Sequence, residues 1–308
     1  MVQFKRVKRP VNGVLLLDKP LGISSNQALQ KVKWLYQAVK AGHTGTLDPL
    51  ATGLLPICFG EATKFSHYLL NAKKSYYASI KLGSTTTTGD TEGETLSHTD
   101  VNVTSELLQK VITQFIGDIT QVPPMYSALK FAGKALYEYA REGVDIEREP
   151  RLITIFDIQL VRFHIDVVEM NIICSKGTYI RTLAEDIGAT LGCGAHLSGL
   201  RRITTANFDL QDAITIEQLE AMTFTDRELQ LLAVDSVLQN MPALHVDADS
   251  TLNLMQGQSI WLCEAAIQHI HPKQDFRLYG AEGEFLGLGK QLEDGKIAPK
   301  RLVNSAQQ

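Results

Sequence analysis

Leu152-Ile153-Thr154-Ile155-Phe156-Asp157-Ile158-Gln159-Leu160-Val161-Arg162-Phe163-His164-Ile165 is followed, one residue later, by Val167-Val168-Glu169-Met170-Asn171-Ile172-Ile173-Cys174. Two long stretches rich in β-branched and aromatic residues thus stand in immediate succession. Around them, strands and helices interleave without a regular βαβ period. That pattern implies an α+β protein with a mixed, largely antiparallel sheet flanked by helices, not a doubly wound parallel one. Towards the N-terminus, Gly13 to Asp18 reads as a short buried strand. Ser24 or Ser25 can cap a helix running to about Val39, with Ala28, Leu29, Val32, Leu35 and Val39 on one face. Leu54–Phe59 reads as a strand, Ala62–Leu70 as a short helix, Ser75–Leu82 as an alternating strand and Gly83 to Gly93 as a loop. Thr104–Ile116 has helical spacing, Val122-Pro123-Pro124 is held extended by proline, and Gly133–Glu142 reads as a helix stopped by Gly143. Beyond the two β-rich stretches, Gly177 turns the chain into a helix containing Tyr179–Gly188. Near Met241-Pro242 the texture changes to a short helix, Ser250–Gln256, and brief strands punctuated by glycine. The expectation is a large domain over residues 1–241 and a small β-rich one over 242–308.

The 308 residues are 44% hydrophobic and 21% charged, the composition of a soluble globular protein. No apolar run approaches the ~20 residues of a membrane span. Val14 to Leu17 is too short for a signal-peptide core behind the basic Lys5, Arg6, Lys8 and Arg9. Cys58, Cys174, Cys193 and Cys263 show no CxxC spacing, so neither a zinc knuckle nor a disulfide framework is implied and a reducing cytoplasm is expected. The net charge is −4, yet residues 1–81 hold twelve Lys/Arg against three Asp/Glu. Such asymmetry fits either a cationic surface that attracts phosphates or basic side chains on solvated faces.

The stretch Gly42-His43-Thr44-Gly45-Thr46-Leu47-Asp48-Pro49-Leu50-Ala51-Thr52-Gly53 sets one carboxylate in a turn crowded with glycine, threonine and proline. Pro49 biases Asp48 away from helical dihedrals. A carboxylate fixed on a loop beside a buried strand suits a reactive group; an Asp-Pro turn whose side chain bonds its own backbone is the plainer reading. The loop lacks the lysine-hydroxyl ending of a phosphate-binding P-loop. His43 has no second ligand at metal spacing, so no metal site is expected.

Five segments in order resemble the bacterial TruB family, the tRNA pseudouridine synthases acting on uridine 55 of the T loop. They are Gly13–Pro20 with Gly22–Ser25; Gly42–Gly53 with Gly60–Lys64; Lys74-Ser75-Tyr76 leading to Gly83 and Thr86–Asp90; Gln121–Lys130; and Ser175–Asp186 with Gly194–Leu197 and Leu200-Arg201-Arg202. The likeness spans about residues 11–205, and the tail resembles the family's PUA-type RNA-binding module more loosely. The resemblance implies a pseudouridine-synthase catalytic domain that breaks the N1–C1′ bond of a uridine, turns the base and joins C5 to C1′. No redox change occurs, so no cofactor is expected.

By that resemblance Asp48 is the nucleophilic carboxylate, which a nearby cation would keep ionised. Arg181 is that cation, although Glu185 four residues on would equally explain it as a helix-surface pair. Tyr76 stacks on the extruded uracil and its hydroxyl assists the later proton removal; Tyr77 should point to the opposite face. Tyr179 and Leu200 touch the uracil or simply pack in the core, and His43 touches the flipped nucleotide or its neighbours. Lys19 either supports the site or touches phosphate. Lys64, Lys130, Arg141, Arg201 and Arg202 are candidate backbone contacts or solvated charges. The implied partner is the tRNA T stem-loop, handled by a monomer. The alternative is a tRNA-binding chaperone of the T arm that acts without catalysis.

Overall fold

The structure is a computed structural model that describes residues 8–263, 267–268, 270–271 and 274–304. The basic residues Lys5 and Arg6 lie outside the described residues. Eight strands form the main path of a ten-stranded sheet. They are β1 (Gly13–Lys19), β2 (Ala51–Phe59), β3 (Lys74–Leu82), β4 (Gly117–Gln121), β5 (Arg151–His164), β6 (Val167–Cys174), β7 (Ala195–Thr205) and β8 (Ile214–Thr215). Their spatial order is β8-β1-β2-β7-β3-β6-β5-β4. Only β8–β1 and β2–β7 are parallel along this path, so the sheet is mixed and largely antiparallel. The β-rich pair at 152–174 forms its β5–β6 hairpin.

Along β3 burial alternates strictly, which turns Tyr76, Ala78, Ile80 and Leu82 to one face and Tyr77 to the other. On the buried face lie α2 (Ser105–Thr113), through Leu108, Val111 and Ile112, and α3 (Ile180–Leu191), through Ile180, Leu183, Ala184 and Ile187. The first helix, α1 (Ser25–Leu35), starts at a Ser24–Gln27 capping box and packs Ala28, Leu29, Val32 and Leu35 into the same core.

Several boundaries differ from the sequence reading. The first helix ends at Leu35, not Val39, because Tyr36 turns inward onto the Phe59 ring and Gln37 adopts a left-handed backbone, leaving Val39 exposed. Within the expected loop at 83–93, Ser84–Thr86 pairs with Thr95–His98 as a two-stranded sheet. The helix expected from Gly133 starts at Leu136, after a small hairpin of Lys130–Phe131 with Lys134–Ala135.

In the tail, a helix spans Ala248–Met255, and Ala243–His245, Phe276–Tyr279, Phe285–Gln291 and Ile297–Leu302 form a separate four-stranded sheet. This small β-rich unit does not hang free. Phe285, Leu288 and Val303 share one apolar cluster with Val14, Leu54, Phe65 and Leu238 from the large sheet's side. Tyr279 and Arg277 reach Asp235, and Lys64 donates to the Leu302 carbonyl.

Candidate active site

The short strand Ala41–His43 pairs with β2, and the chain then loops through Asp48 before β2 begins at Ala51, three residues earlier than the sequence suggests. Two clamps hold that loop. The buried Ser25 hydroxyl accepts from the Leu47 amide at 2.7 Å and donates to the Leu47 carbonyl at 2.9 Å. On its other side, the Gly22 amide donates to the Pro49 carbonyl at 2.9 Å. Asp48 is therefore fixed between two anchored neighbours.

Strand β7 brings the remaining parts together. It pairs with the start of β2 through Leu200–Ala51 and Arg202–Gly53, and with β3 through Arg202–Tyr76. Gly53 is needed here: its φ is +99°, and a Cβ would lie 2.3 Å from the Arg202 carbonyl oxygen. The result is a cavity of about 390 Å³ whose wall includes Asp48, Tyr76, Tyr179, Arg181, Leu200 and Lys74. That volume lies in the range of small-molecule sites.

Arg181, in the first turn of α3 and 5% exposed, sets the electrostatics. Its guanidinium lies 3.1 Å from Asp48 and 3.5 Å from the buried Asp90, and it donates to the Tyr126 and Thr88 carbonyls at 2.6 and 2.9 Å. Its ion-pair partners are thus these two aspartates, not the Glu185 that helix spacing offered. Burial pushes the Asp48 carboxyl above its ordinary range; Arg181 opposes this, Asp90 adds to it, and Lys19 opposes it more weakly. The expected cation is present, but the net shift is upward: it limits the rise without reversing it. Water reaching the 41%-exposed side chain tempers both effects.

The Tyr76 hydroxyl meets the Arg202 guanidinium, and burial raises its pKa despite that cation, so the phenol stays protonated. Tyr179 immediately precedes α3 and is held at its backbone by the Gln121 side chain in two hydrogen bonds. His43 is half-buried outside the cavity wall, its pKa lowered by burial and by Arg202.

Lys19 is wholly buried, donates to the Pro20 and Ile23 carbonyls, and is brought down to about 8 by burial, with Asp48 opposing. It holds the 20–23 turn, whose Gly22 amide in turn bonds Pro49; buried there, it is closed to phosphate. The same correction holds for Arg202, which is 1% exposed and donates to the Leu54 and Gly45 carbonyls. Arg201 is paired with Asp18 at 2.6 Å and Lys64 with Glu61, whereas Lys130 and Arg141 are exposed. Of the basic N-terminal third, Arg9, Lys31 and Lys81 pair with Glu228, Glu220 and Asp166. Three of the twelve basic residues of that third are thus folded into ion pairs with acids from the rest of the chain. Sequence reasoning passed over Asp90 and Lys74 as site residues; both stand in the quoted segments, but nothing in their spacing announces burial.

Residues 33–180 match the family model described as TruB family pseudouridylate synthase (N terminal domain). Residues 181–244 match the tRNA pseudouridylate synthase B C-terminal domain, and 242–303 the C-terminal model of pseudouridine synthase II TruB. The chain is 61% identical over 305 residues to the tRNA pseudouridine synthase B of Methylobacillus flagellatus, covering 99% of each. It is 49% identical to the protein of that name from Pseudomonas aeruginosa, covering 99% of this chain and 100% of that one. Among solved structures, a Cbf5-Nop10-Gar1 complex contains a chain that superposes with a TM-score of 0.70 at 25% identity, over 95% of this chain and 84% of that one. An archaeal box H/ACA sRNP Nop10-Cbf5 complex gives 0.69 at 21% identity over 95% and 86%, a likeness of fold.

Proposed function

We propose, for a chain that belongs to the TruB family of pseudouridylate synthases and is a pseudouridine synthase, that it isomerises uridine 55 in the T loop of tRNA. The observation that carries this reading is one ionisable carboxylate, Asp48, pinned 3.1 Å from Arg181 in the wall of a cavity that Tyr76 also lines. The relatives' shared name, tRNA pseudouridine synthase B, supports the choice of RNA. The target atoms of a folded loop lie inside the stack, so the nucleotide must be flipped out to meet that carboxylate.

In the proposed reaction Asp48 takes C1′ as the N1–C1′ bond breaks, with the bonding pair leaving on N1. The uracil turns, C5 attacks C1′ and displaces the carboxylate, C5 loses its proton and N1 gains one. Tyr76 stacks on the base, and its neutral hydroxyl relays the C5 proton. Tyr179 and Leu200 hold the base edge, Arg181 holds Asp48, and His43 contacts the nucleotides beside the flipped one. Residues 242–308 serve as a PUA-like module extending the grip towards the acceptor end, where Lys300 and Arg301 are exposed on the last strand. The enzyme acts as a cytoplasmic monomer on the T stem-loop.

The test is tritium release from a T-arm minihelix labelled at C5 of uridine 55. The native chain releases it; Asp48→Ala releases none above background while still binding RNA. Release by Asp48→Ala would remove the nucleophile assignment. No release by the native chain, with binding and unfolding of the T arm intact, would favour the chaperone.

A further inference from the structure

Two buried cations in the cavity wall have no carboxylate at ion-pair distance among the described residues. Lys74 is 7% exposed and Arg202 1%. They converge beneath Gly45, three residues before Asp48: a Cβ there would lie 3.5 Å from both Lys74 Cε and Arg202 Nη1. Asp48 and Asp90 are engaged by Arg181. Among the described residues the hydrogen-bond acceptors of the Lys74 ammonium are the carbonyls of Leu69, Leu70 and Ala72, and Arg202 donates to carbonyls and meets the Tyr76 hydroxyl. Burial, and then repulsion from Arg202, bring the Lys74 ammonium down to about 8. Uncompensated buried charge of this kind destabilises the fold on its own account. It becomes favourable when an anion forms against it.

We propose that Lys74, backed by Arg202, stabilises the uracil as it leaves C1′ with the N1–C1′ bonding pair. The proposal rests on the reaction assigned above. Heterolysis converts a neutral base into a monoanion whose charge spreads over O2 and O4, while C1′ is taken by the Asp48 carboxylate. The Tyr76 ring carries the base, and its own hydroxyl touches Arg202, so the base sits above the cation pair. The bound uridine is neutral, so the field acts on the transition state and leaves affinity alone.

Single-turnover tritium release at saturating minihelix, with Kd measured separately, tests this on three variants. Lys74→Gln keeps two amide donors for the carbonyls but loses the charge; Lys74→Met loses both; Lys74→Arg keeps the charge. The expected order is Arg near native, with Gln and Met both slower by roughly 10²-fold and Kd unchanged. With 5-fluorouridine as the target, the halogen itself stabilises the departing anion, so the Lys74→Gln penalty, read as loss of the N-glycoside, shrinks. A Gln variant near native with a slow Met variant would make Lys74 a cap for the end of the helix Ser66–Leu70 and overturn the proposal. So would three equally slow variants, a Kd that weakens in step with the rate, or a penalty indifferent to fluorine. Absence of turnover by the native chain would instead defeat the underlying reaction, a separate failure.

Discussion

Replacing Arg181 with methionine removes one guanidinium from two carboxylates at once, and the two losses are separable. Asp90 is buried and sits 3.5 Å from Arg181. Breaking a buried pair costs about 3–5 kcal/mol. Asp90 keeps hydrogen bonds from the Thr88 hydroxyl and the Glu92 amide, which places the expected loss near 3 kcal/mol. For a chain of 308 residues that is a fall of roughly 4–5 °C in Tm. Asp48, already raised by burial, loses its main opposing cation and rises further. The 41% exposure of the Asp48 side chain lets water screen part of that rise. The reactive form is the carboxylate, so activity is present above the folded pKa and is lost as pH falls through it. The acid limb of the pH–rate profile therefore moves to higher pH in Arg181→Met, and raising the pH recovers part of the lost rate. The remainder, roughly 10²–10³-fold, is lost positioning and charge stabilisation and does not return. Single-turnover tritium release from about pH 5 to 9 reads the limb, and thermal melts read the fold. Adding Asp90→Asn should restore most of the melting temperature and none of the rate. An acid limb coincident with the native one would refute the claim that Arg181 holds the Asp48 carboxyl down.

Asp48→Asn should abolish turnover yet melt at or above the native temperature near neutral pH. A folded pKa above the unfolded one makes ionisation cost stability at every pH above the folded value, and the two melting curves merge below the ordinary carboxylate range; a lower melting temperature at neutral pH would contradict this. Lys130→Ala with Arg141→Ala, two exposed charges, should weaken minihelix binding and reduce the salt slope by nearly one per residue; an unchanged slope would take both off the RNA path. Gly53→Ala forces a Cβ to 2.3 Å from the Arg202 carbonyl at φ +99° and should cost about 3 kcal/mol or more in denaturant unfolding. A loss below about 1 kcal/mol would mean that β2 and β7 separate readily there.

The elements that came through from sequence are those whose side chains face one way. Strand β3 alternates cleanly, and α3 buries Ile180, Leu183, Ala184 and Ile187 at helical spacing. Strand β7 was invisible as a strand because Ser198, Gly199, Arg201 and Arg202 break any apolar pattern. Yet it is the central strand that sets Leu200 and Arg202 beside Asp48's loop and Tyr76. Arg202 reads as surface because its compensating partners are backbone carbonyls, which carry no sequence signature. Arg181 could be matched equally to Glu185 by helix spacing or to Asp48 by family likeness; only the loop path through Thr88 and Asp90 decides it. Asp48, Tyr76, Tyr179, Arg181 and Leu200 do meet in one cavity wall. His43 and Lys19 do not join them: His43 ends the short strand Ala41–His43, and Lys19 ends β1 with its ammonium bonded to the turn that follows.

The charges of the cavity are also ordered in space, and the order bears on heterolysis. One side holds Arg181 between Asp48 and Asp90, two carboxylates on one cation. The other holds Lys74 and Arg202, two cations with carbonyl partners. Each group is unfavourable alone: the Asp48 carboxyl is pushed up and the Lys74 ammonium pulled down. Breaking the N1–C1′ bond creates positive charge at C1′ and negative charge on the base, in the same sense as this fixed separation if C1′ faces Asp48. Water would have to reorient to supply that field; side chains tied to backbone carbonyls need not. The strain is then tolerable because the apolar sheet-and-helix core around Tyr76 holds both groups in place. Relieving either side, by Asp48→Asn or Lys74→Gln, should leave the protein as stable or more so while it loses rate, and a variant of this pair that lost stability in proportion to rate would contradict a field set up for the reaction.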